Sequence, residues 1–361
     1  MGTRFDITRT ELGALLDDLP AYRTDQAWKG LWSGQEPGEI PSLPMPVRLR
    51  LAEALPAALH AIAESEGDGG ETVKWLWELG DGHRIETVLM HHRAHSTVCV
   101  SSQAGCAMAC GFCATGQTGF DRHLSPGEIV EQVVWARRRA AADGRRLSNV
   151  VFMGMGEPMA NYDAAWGAIE LIHDELGLGA RHLTVSTVGI VPGIRRLAGE
   201  RLPVNLAVSL HAANDALRDE LVPINRRYPL DVLLDACAGY LRRKRRRLSF
   251  EWALIDGVND RAQDAAELAA ACQSLPLAAH VNLIRLNPTA GYGTSGTPPA
   301  GVRRFRDQLV ERGVNVTVRR TRGTDIDAAC GQLAAEPAPV PVAVCGGMSP
   351  RDGTVLPDCE S

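Results

Sequence analysis

Apolar residues recur at helical spacing in residues 10–19, where Leu12, Leu15, Leu16 and Leu19 share a face, and again in residues 52–63. Pro37, Pro41, Pro44 and Pro46 interrupt the stretch between them. Residues 65–71 read as a linker or turn. Residues 72–79 and 84–91 alternate apolar and polar about Gly80-Asp81-Gly82, a hairpin pattern. From about residue 95 the rhythm becomes strand, loop, helix. Candidate strands are 96–101, 149–153, 182–186, 204–209, 248–254 and 280–286, with helical stretches at 126–142, 162–175, 230–242 and 260–273. Six such strands predict parallel βα units, and right-handed crossovers curl them into a barrel or an open sheet. A last strand at 315–320 precedes residues 321–333. This rhythm divides the chain into a helical unit at 1–64, a β-hairpin extension at 65–94, an α/β core at 95–333 and a tail at 334–361. The tail is rich in Pro, Gly and Val and is expected to be disordered.

Composition changes this picture little. The 361 residues are 45% hydrophobic and 22% charged, enough to bury a sizeable core. A formal net charge of −5 argues against a protein that coats nucleic acid nonspecifically, but local patches decide whether an enzyme grips RNA. Basic clusters occur at 137–139, 145–146, 242–247, 303–306 and 319–322. The chain opens Met1-Gly2-Thr3-Arg4 without an apolar signal segment, and no apolar run reaches the roughly 18 residues a membrane span needs. A cytoplasmic location without membrane contact is therefore expected, where clustered cysteines mean metal or redox chemistry.

Nine cysteines are present, and three crowd into Cys106-Ala-Met-Ala-Cys110-Gly-Phe-Cys113. Three neighbouring thiolates grip a soft metal centre. Structural zinc takes four ligands, usually as separated pairs. Three thiolates on a [4Fe–4S] cube leave one iron open to a cofactor. The segment Gly154-Met155-Gly156-Glu157-Pro158 ends the next predicted strand. Glycines there admit close backbone approach, and a carboxylate at that point accepts bonds from an ammonium. Ser186, the run Ser209-Leu210-His211, and Asn287 end further strands. Singly these are common strand exits. Together they make one ring at the C-terminal face of a βα barrel. Cys99 and Cys330, taken alone, read as small core residues.

Cys-Val-Ser-Ser-Gln at 99–103, the triplet, Gly-Met-Gly-Glu-Pro at 154–158, Ser-Leu-His at 209–211, Val-Pro-Ile-Asn at 222–225, Gly-Val-Asn-Asp at 257–260 and Asp-Ala-Ala-Cys-Gly-Gln-Leu at 327–333 resemble the RlmN/Cfr family. These are radical S-adenosylmethionine (SAM) methyltransferases acting on RNA, and the resemblance covers roughly residues 70–334. It implies a radical SAM partial (β/α)6 barrel with a small N-terminal helical accessory domain. It implies a [4Fe–4S] cluster on Cys106, Cys110 and Cys113, and SAM held by Gly156, Glu157, Ser186, Ser209, Leu210, His211 and Asn287. Cys330 would carry a methyl group taken from one SAM, a second SAM would supply a radical, and Cys99 would release the product by forming a disulfide with Cys330. Glu86 would take the proton from the adenine carbon; by sequence alone it reads as a solvent-facing strand carboxylate. The partners implied are 23S rRNA, transfer RNA for RlmN members, and an electron donor such as flavodoxin or ferredoxin, with the enzyme a monomer. Arg285 stands where RlmN sequences usually carry proline and Cfr-type sequences arginine, so carbon 2 and carbon 8 of adenine both stay open, as does a paralogue with a small-molecule substrate.

Overall fold

The computed structural model of the chain describes residues 3–319 and 321–335. The tail expectation falls, from residue 336 on, outside the described residues, as do Cys345 and Cys359. Three strands come first: β1 (Leu59–Gly67), β2 (Thr72–Leu79) and β3 (Arg84–His91). β4 (Ser96–Cys99) follows, then a small hairpin of β5 (Gln103–Gly105) and β6 (Phe120–His123). The remaining strands are β7 (Leu147–Phe152), β8 (Leu183–Thr187), β9 (Asn205–Ser209), β10 (Leu248–Leu254), β11 (His280–Arg285) and β12 (Asn315–Val318).

Ten strands form one sheet in the order β1-β2-β3-β4-β7-β8-β9-β10-β11-β12. Pairings from β4 through β12 are parallel, and those among β1, β2, β3 and β4 are antiparallel. β12 and β1 end the order without pairing to each other, so the barrel is partial. The parallel strands are apolar at most positions because helices cover their outer face; β10 is buried along its whole length.

Two expectations at the N-terminal side are corrected. The helix expected at 52–63 ends at Ala54, and Leu59–Gly67 is a strand paired with β2. Alanines at 54, 57, 58, 61 and 63 favour helix locally, but pairing with β2 overrides that preference. The same strand absorbs the first three residues of the expected linker, whose turn is only Asp68–Gly70, with Gly69 at φ +67°. The helix Tyr22–Trp32 was not anticipated; it buries Ala27, Trp28, Leu31 and Trp32.

The N-terminal helices share one hydrophobic core with the barrel, running from Phe5 to Leu333. Asp6 ties them to the helix Pro126–Ala142 by accepting bonds from Gly127 N (2.6 Å) and Ser125 Oγ (2.9 Å). Glu131 in that helix is buried beside Arg4 (3.6 Å) and accepts the Ala58 N–H (2.9 Å). Burial nevertheless pushes its carboxyl up to about 7, because Arg4 and the Ala58 amide offset only part of the desolvation. The bound proton therefore stabilises the fold fully below the unfolded value of about 4.5, and that contribution is lost as pH rises through about 7. We expect Tm to fall across this window by the equivalent of about 3 kcal/mol from this group, and Glu131→Gln to flatten that part of the curve. A melt series from pH 4.5 to 8 checks it; an identical slope in the variant would exclude Glu131 as the source.

Candidate active site

The parallel strands end around an open-mouthed cavity whose empty space, counting the part open to solvent, is about 1030 Å³. The chain leaves β4 at Cys99, forms β5, and enters the loop of Cys106, Cys110 and Cys113, all of which line this cavity. Gly105 makes the turn at φ +70°, where a Cβ would stand 2.1 Å from Gly119 O. Burial raises the thiols, Cys106 to about 12 and Cys110 higher; Glu157 and Cys113 push both in the same direction.

Across the cavity stand Gly156, Glu157, Ser186, Ser209, His211 and Asn287. Gly156 has φ +94°, and a Cβ there would lie 2.5 Å from Gln103 Cβ. Glu157 is buried; its Oε2 accepts from Val188 N (2.8 Å) and its Oε1 from Met159 N (3.0 Å). Burial brings its carboxyl up to about 7 against those bonds. Each oxygen keeps a further lone pair. His211, at φ +59°, accepts the Ala253 N–H on Nδ1 (3.0 Å), and burial drops its imidazole to about 3, so the ring is neutral with its proton on Nε2. Phe112 from the cysteine loop packs edge-on against it at 4.9 Å. Leu210 is the exception among the expected ring: its side chain is fully buried in the core, because alternation points it away from the cavity, and only its backbone serves the strand ends.

Sequence reasoning missed Arg218. Wholly buried, it donates to Leu210 O (3.1 Å), Val188 O (2.6 Å) and Asn225 Oδ1 (2.7 Å), and so ties the exits of β8 and β9 together. The one signal was Asn225 in the Val-Pro-Ile-Asn motif. Also missed were Glu251 and Arg319, 3.6 Å apart on the cavity wall.

Cys330 lines this cavity and also a second one that contains Cys99. Its side chain is solvent-accessible yet densely surrounded, because what it faces is the cavity space itself. Asn287 Nδ2 donates to Cys330 O (3.0 Å), so Asn287 holds the cysteine's own loop. Arg319 lines both cavities. Burial raises the thiol of Cys330, and that of Cys99 to about 12, while Arg319 pulls both back toward thiolate. All seven cysteines of the described residues are free thiols.

Glu86 does not face solvent. It is buried, paired with Lys74 Nζ (2.8 Å), and its Oε2 accepts from Ala334 N (2.9 Å) and Ala335 N (3.3 Å). It shares a strand face with Val88, which pairs with Cys99. Burial raises its carboxyl, with Lys74 the main opposing influence. Lys74 also donates to Asp327 O (3.3 Å), so this ion pair brackets the Cys330 loop from both ends.

A model of the radical SAM superfamily matches residues 100–269. The probable dual-specificity RNA methyltransferase RlmN of Parafrankia sp. (strain EAN1pec) is 52% identical, covering 92% of this chain and 91% of that protein. The chain belongs to the RlmN family of radical SAM RNA methyltransferases. The dual-specificity RNA methyltransferase RlmN 1 of Myxococcus xanthus (strain DK1622) is 49% identical over 92% of this chain and 94% of its own. A crystal structure of a radical SAM methyltransferase from Sphaerobacter thermophilus superposes with a TM-score of 0.89 at 47% identity, covering 93% of this chain and all of that one.

RlmN membership makes a [4Fe–4S] cluster and SAM the cofactors. The residues fit them. No three His, Cys, Asp or Glu among the described residues converge on one point as a single ion requires. Three thiols on one cavity wall, two of them raised by burial, instead suit a cluster, whose corners are separate irons and whose charge favours the thiolates. Glu157 offers a buried carboxyl group on the same cavity. No helix among the described residues is long and apolar enough to cross a membrane.

Proposed function

We propose that this enzyme methylates a ring carbon of an adenine in RNA, carbon 2 in 23S rRNA and in transfer RNA, through a methyl group carried on Cys330. One observation carries the reading: Cys330 borders both the cavity of the three clustered cysteines and the cavity of Cys99. A carrier must meet the methyl source on one side and its resolving thiol on the other. When bound, the cluster and SAM supply a transferable methyl group and, after one-electron reduction, a carbon-centred radical.

The chain's own residues do the rest. Cys106, Cys110 and Cys113, which line the cavity, would hold the cluster, and Glu157, Ser186, Ser209 and His211 would surround SAM. Sγ of Cys330, raised by burial but pulled back toward thiolate by Arg319, would accept the methyl group as the S–CH3 bond of SAM breaks and S-adenosylhomocysteine leaves, and Asn287 steadies the cysteine through its carbonyl. Glu86 accepts the proton from the adenine carbon once Ala334 and Ala335 release its Oε2. Cys99 attacks Sγ of Cys330; an S–S bond forms, the S–C bond breaks, and the methylene carbon of the base leaves with the electron pair and takes a proton to become the methyl group. A flavodoxin- or ferredoxin-type donor supplies the electron, and the enzyme works as a cytoplasmic monomer.

Arg285 lines the active-site cavity. Its Nε donates to Thr297 O (3.1 Å) and Gly296 O (3.4 Å), so the guanidinium is engaged with the loop backbone. The name dual-specificity of the relatives supports two RNA substrates. Mass spectrometry of RNA digests from a deletion strain tests the reading: loss of 2-methyladenosine supports it, and loss of 8-methyladenosine or no loss overturns it.

Glu157→Ala is expected to weaken SAM binding by about 1.5–3 kcal/mol, the size of a charge-assisted hydrogen bond, while iron content is kept. Equilibrium dialysis with SAM on the reconstituted protein measures it. Unchanged affinity would remove Glu157 from the ammonium site and leave it as the tie between β7 and β8.

A further inference from the structure

The parallel sheet has a second end, away from the cavity, and its charge is lopsided. Arg93 and His95 precede β4, Arg145 and Arg146 precede β7, Arg181 and His182 border the start of β8, Arg246 and Arg247 precede β10, and His280 opens β11. These strands lie in the sheet order β4-β7-β8-β9-β10-β11, and Arg246 spans the start of β9 by donating to Asn205 Oδ1 (3.1 Å), so their N-terminal ends form one continuous rim. Two grooves run along it and share Arg145 and Arg146. Strands of four to seven residues at roughly 3.3 Å per residue put this rim roughly 15–20 Å from the cavity mouth.

Most of the rim's charge is uncompensated. Glu71 pairs with Arg145 (2.8 Å) and lies 3.8 Å from Arg322, and Asp143 is occupied by Arg139 and His91. Among the described residues, Arg93, Arg146, Arg181, Arg246 and Arg247 pair with no carboxylate, although the whole chain carries a net charge of −5. Arg246 Nε and His280 Nε2 are buried without a partner. His182 is held below its ordinary value by burial and then by Arg181, Arg146, His95 and Arg246, so these side chains share one field. Mutual repulsion on this scale costs stability and is relieved by a polyanion.

We infer that this rim is a second RNA-binding surface, which grips the phosphate backbone of a long, folded RNA whose target adenine sits in the cavity at the other end of the barrel. The inference rests on RNA being the substrate. Guanidinium forks match phosphate oxygens, and neither groove carries the Phe, Tyr or Trp anchor that a protein partner would use. An electron donor has no use for this rim, because the cluster loop lies at the opposite end.

The test compares wild type with the triple variant Arg93→Gln, Arg146→Gln, Arg181→Gln on two probes: a full-length transfer RNA and the isolated hairpin from it that carries the target adenine. Binding is read by anisotropy across a salt series, so it stands apart from whether the adenine is methylated. Wild type should bind the full-length RNA more tightly than the hairpin. The triple variant should lose roughly tenfold or more on the full-length RNA only, and its log–log salt slope there should fall by about 2–3. Arg93→Glu alone should show a smaller loss of the same kind. Equal wild-type affinity for the two RNAs overturns the inference and leaves the cavity chemistry standing. So does an unchanged full-length affinity in the triple variant, or an equal loss on both RNAs. Unchanged RNA binding with slower reduction by flavodoxin would overturn it in favour of a protein partner.

Discussion

Cys99→Ala, purified from cells, should carry RNA covalently attached through Cys330. The variant keeps the carrier and the cluster ligands but lacks the thiol that displaces the Cys330 sulfur. Among the described residues, Cys99 is the other thiol on the second cavity with Cys330, so no other side chain stands ready to resolve the adduct. Arg319, on the same cavity, opposes the burial that raises both thiols and so eases formation of the thiolate that resolution needs. Cys330→Ala should instead show neither methyl on the protein nor RNA attached. A denaturing gel with and without RNase reads both results. Free Cys99→Ala protein that still makes normal methyladenosine would exclude the two-cysteine route. Cysteines serving only as buried core would show a modest loss of packing and no attached RNA.

Replacing any one of Cys106, Cys110 and Cys113 by Ala should abolish the cluster and with it all SAM cleavage. Each variant leaves two thiols on the cavity wall for a cube that uses three. The effect should be all-or-none, since the neighbouring side chains Phe112, His211 and Glu157 are packed or hydrogen-bonded and cannot substitute without rearranging the strand ends. Iron and sulfide analysis after anaerobic reconstitution checks this, together with the visible absorbance. Full iron loading in any single variant would remove that cysteine from the ligand set. These variants and Glu157→Ala should separate cleanly: the first lose iron, the second keeps iron and loses SAM.

The chemistry was legible in the sequence because it is local. A three-cysteine loop, a Gly-Met-Gly-Glu-Pro strand exit and Ser-Leu-His each lie within a few residues, and the alternation of strand and helix announces a parallel sheet whose C-terminal ends collect them. The strands of the core were legible for the same reason, each being a short apolar run between turns.

What needed the tertiary structure is whatever depends on residues far apart in the chain. Alanine-rich residues 52–63 favour a helix taken alone, and only pairing with β2 makes the last five of them, from Leu59, a strand. Leu210 sits inside a motif whose neighbours line the cavity, yet strand alternation turns its side chain into the core. Glu86 looks solvent-facing by sequence, and burial with Lys74 and the amides of Ala334 and Ala335 makes it a latch on the Cys330 loop. Arg218, Glu251 and Arg319 belong to no strand-exit motif that names their roles; these come from carbonyls, thiols and carboxylates that other strands bring to them. The sequence by itself determined which groups can hold a cluster and SAM, since coordination needs the right atoms at short spacing. The fold alone decided that Cys99 and Cys330, 231 positions apart by subtraction of their numbers, meet on one cavity, because that meeting is made by sheet order and by a loop folded back over the barrel.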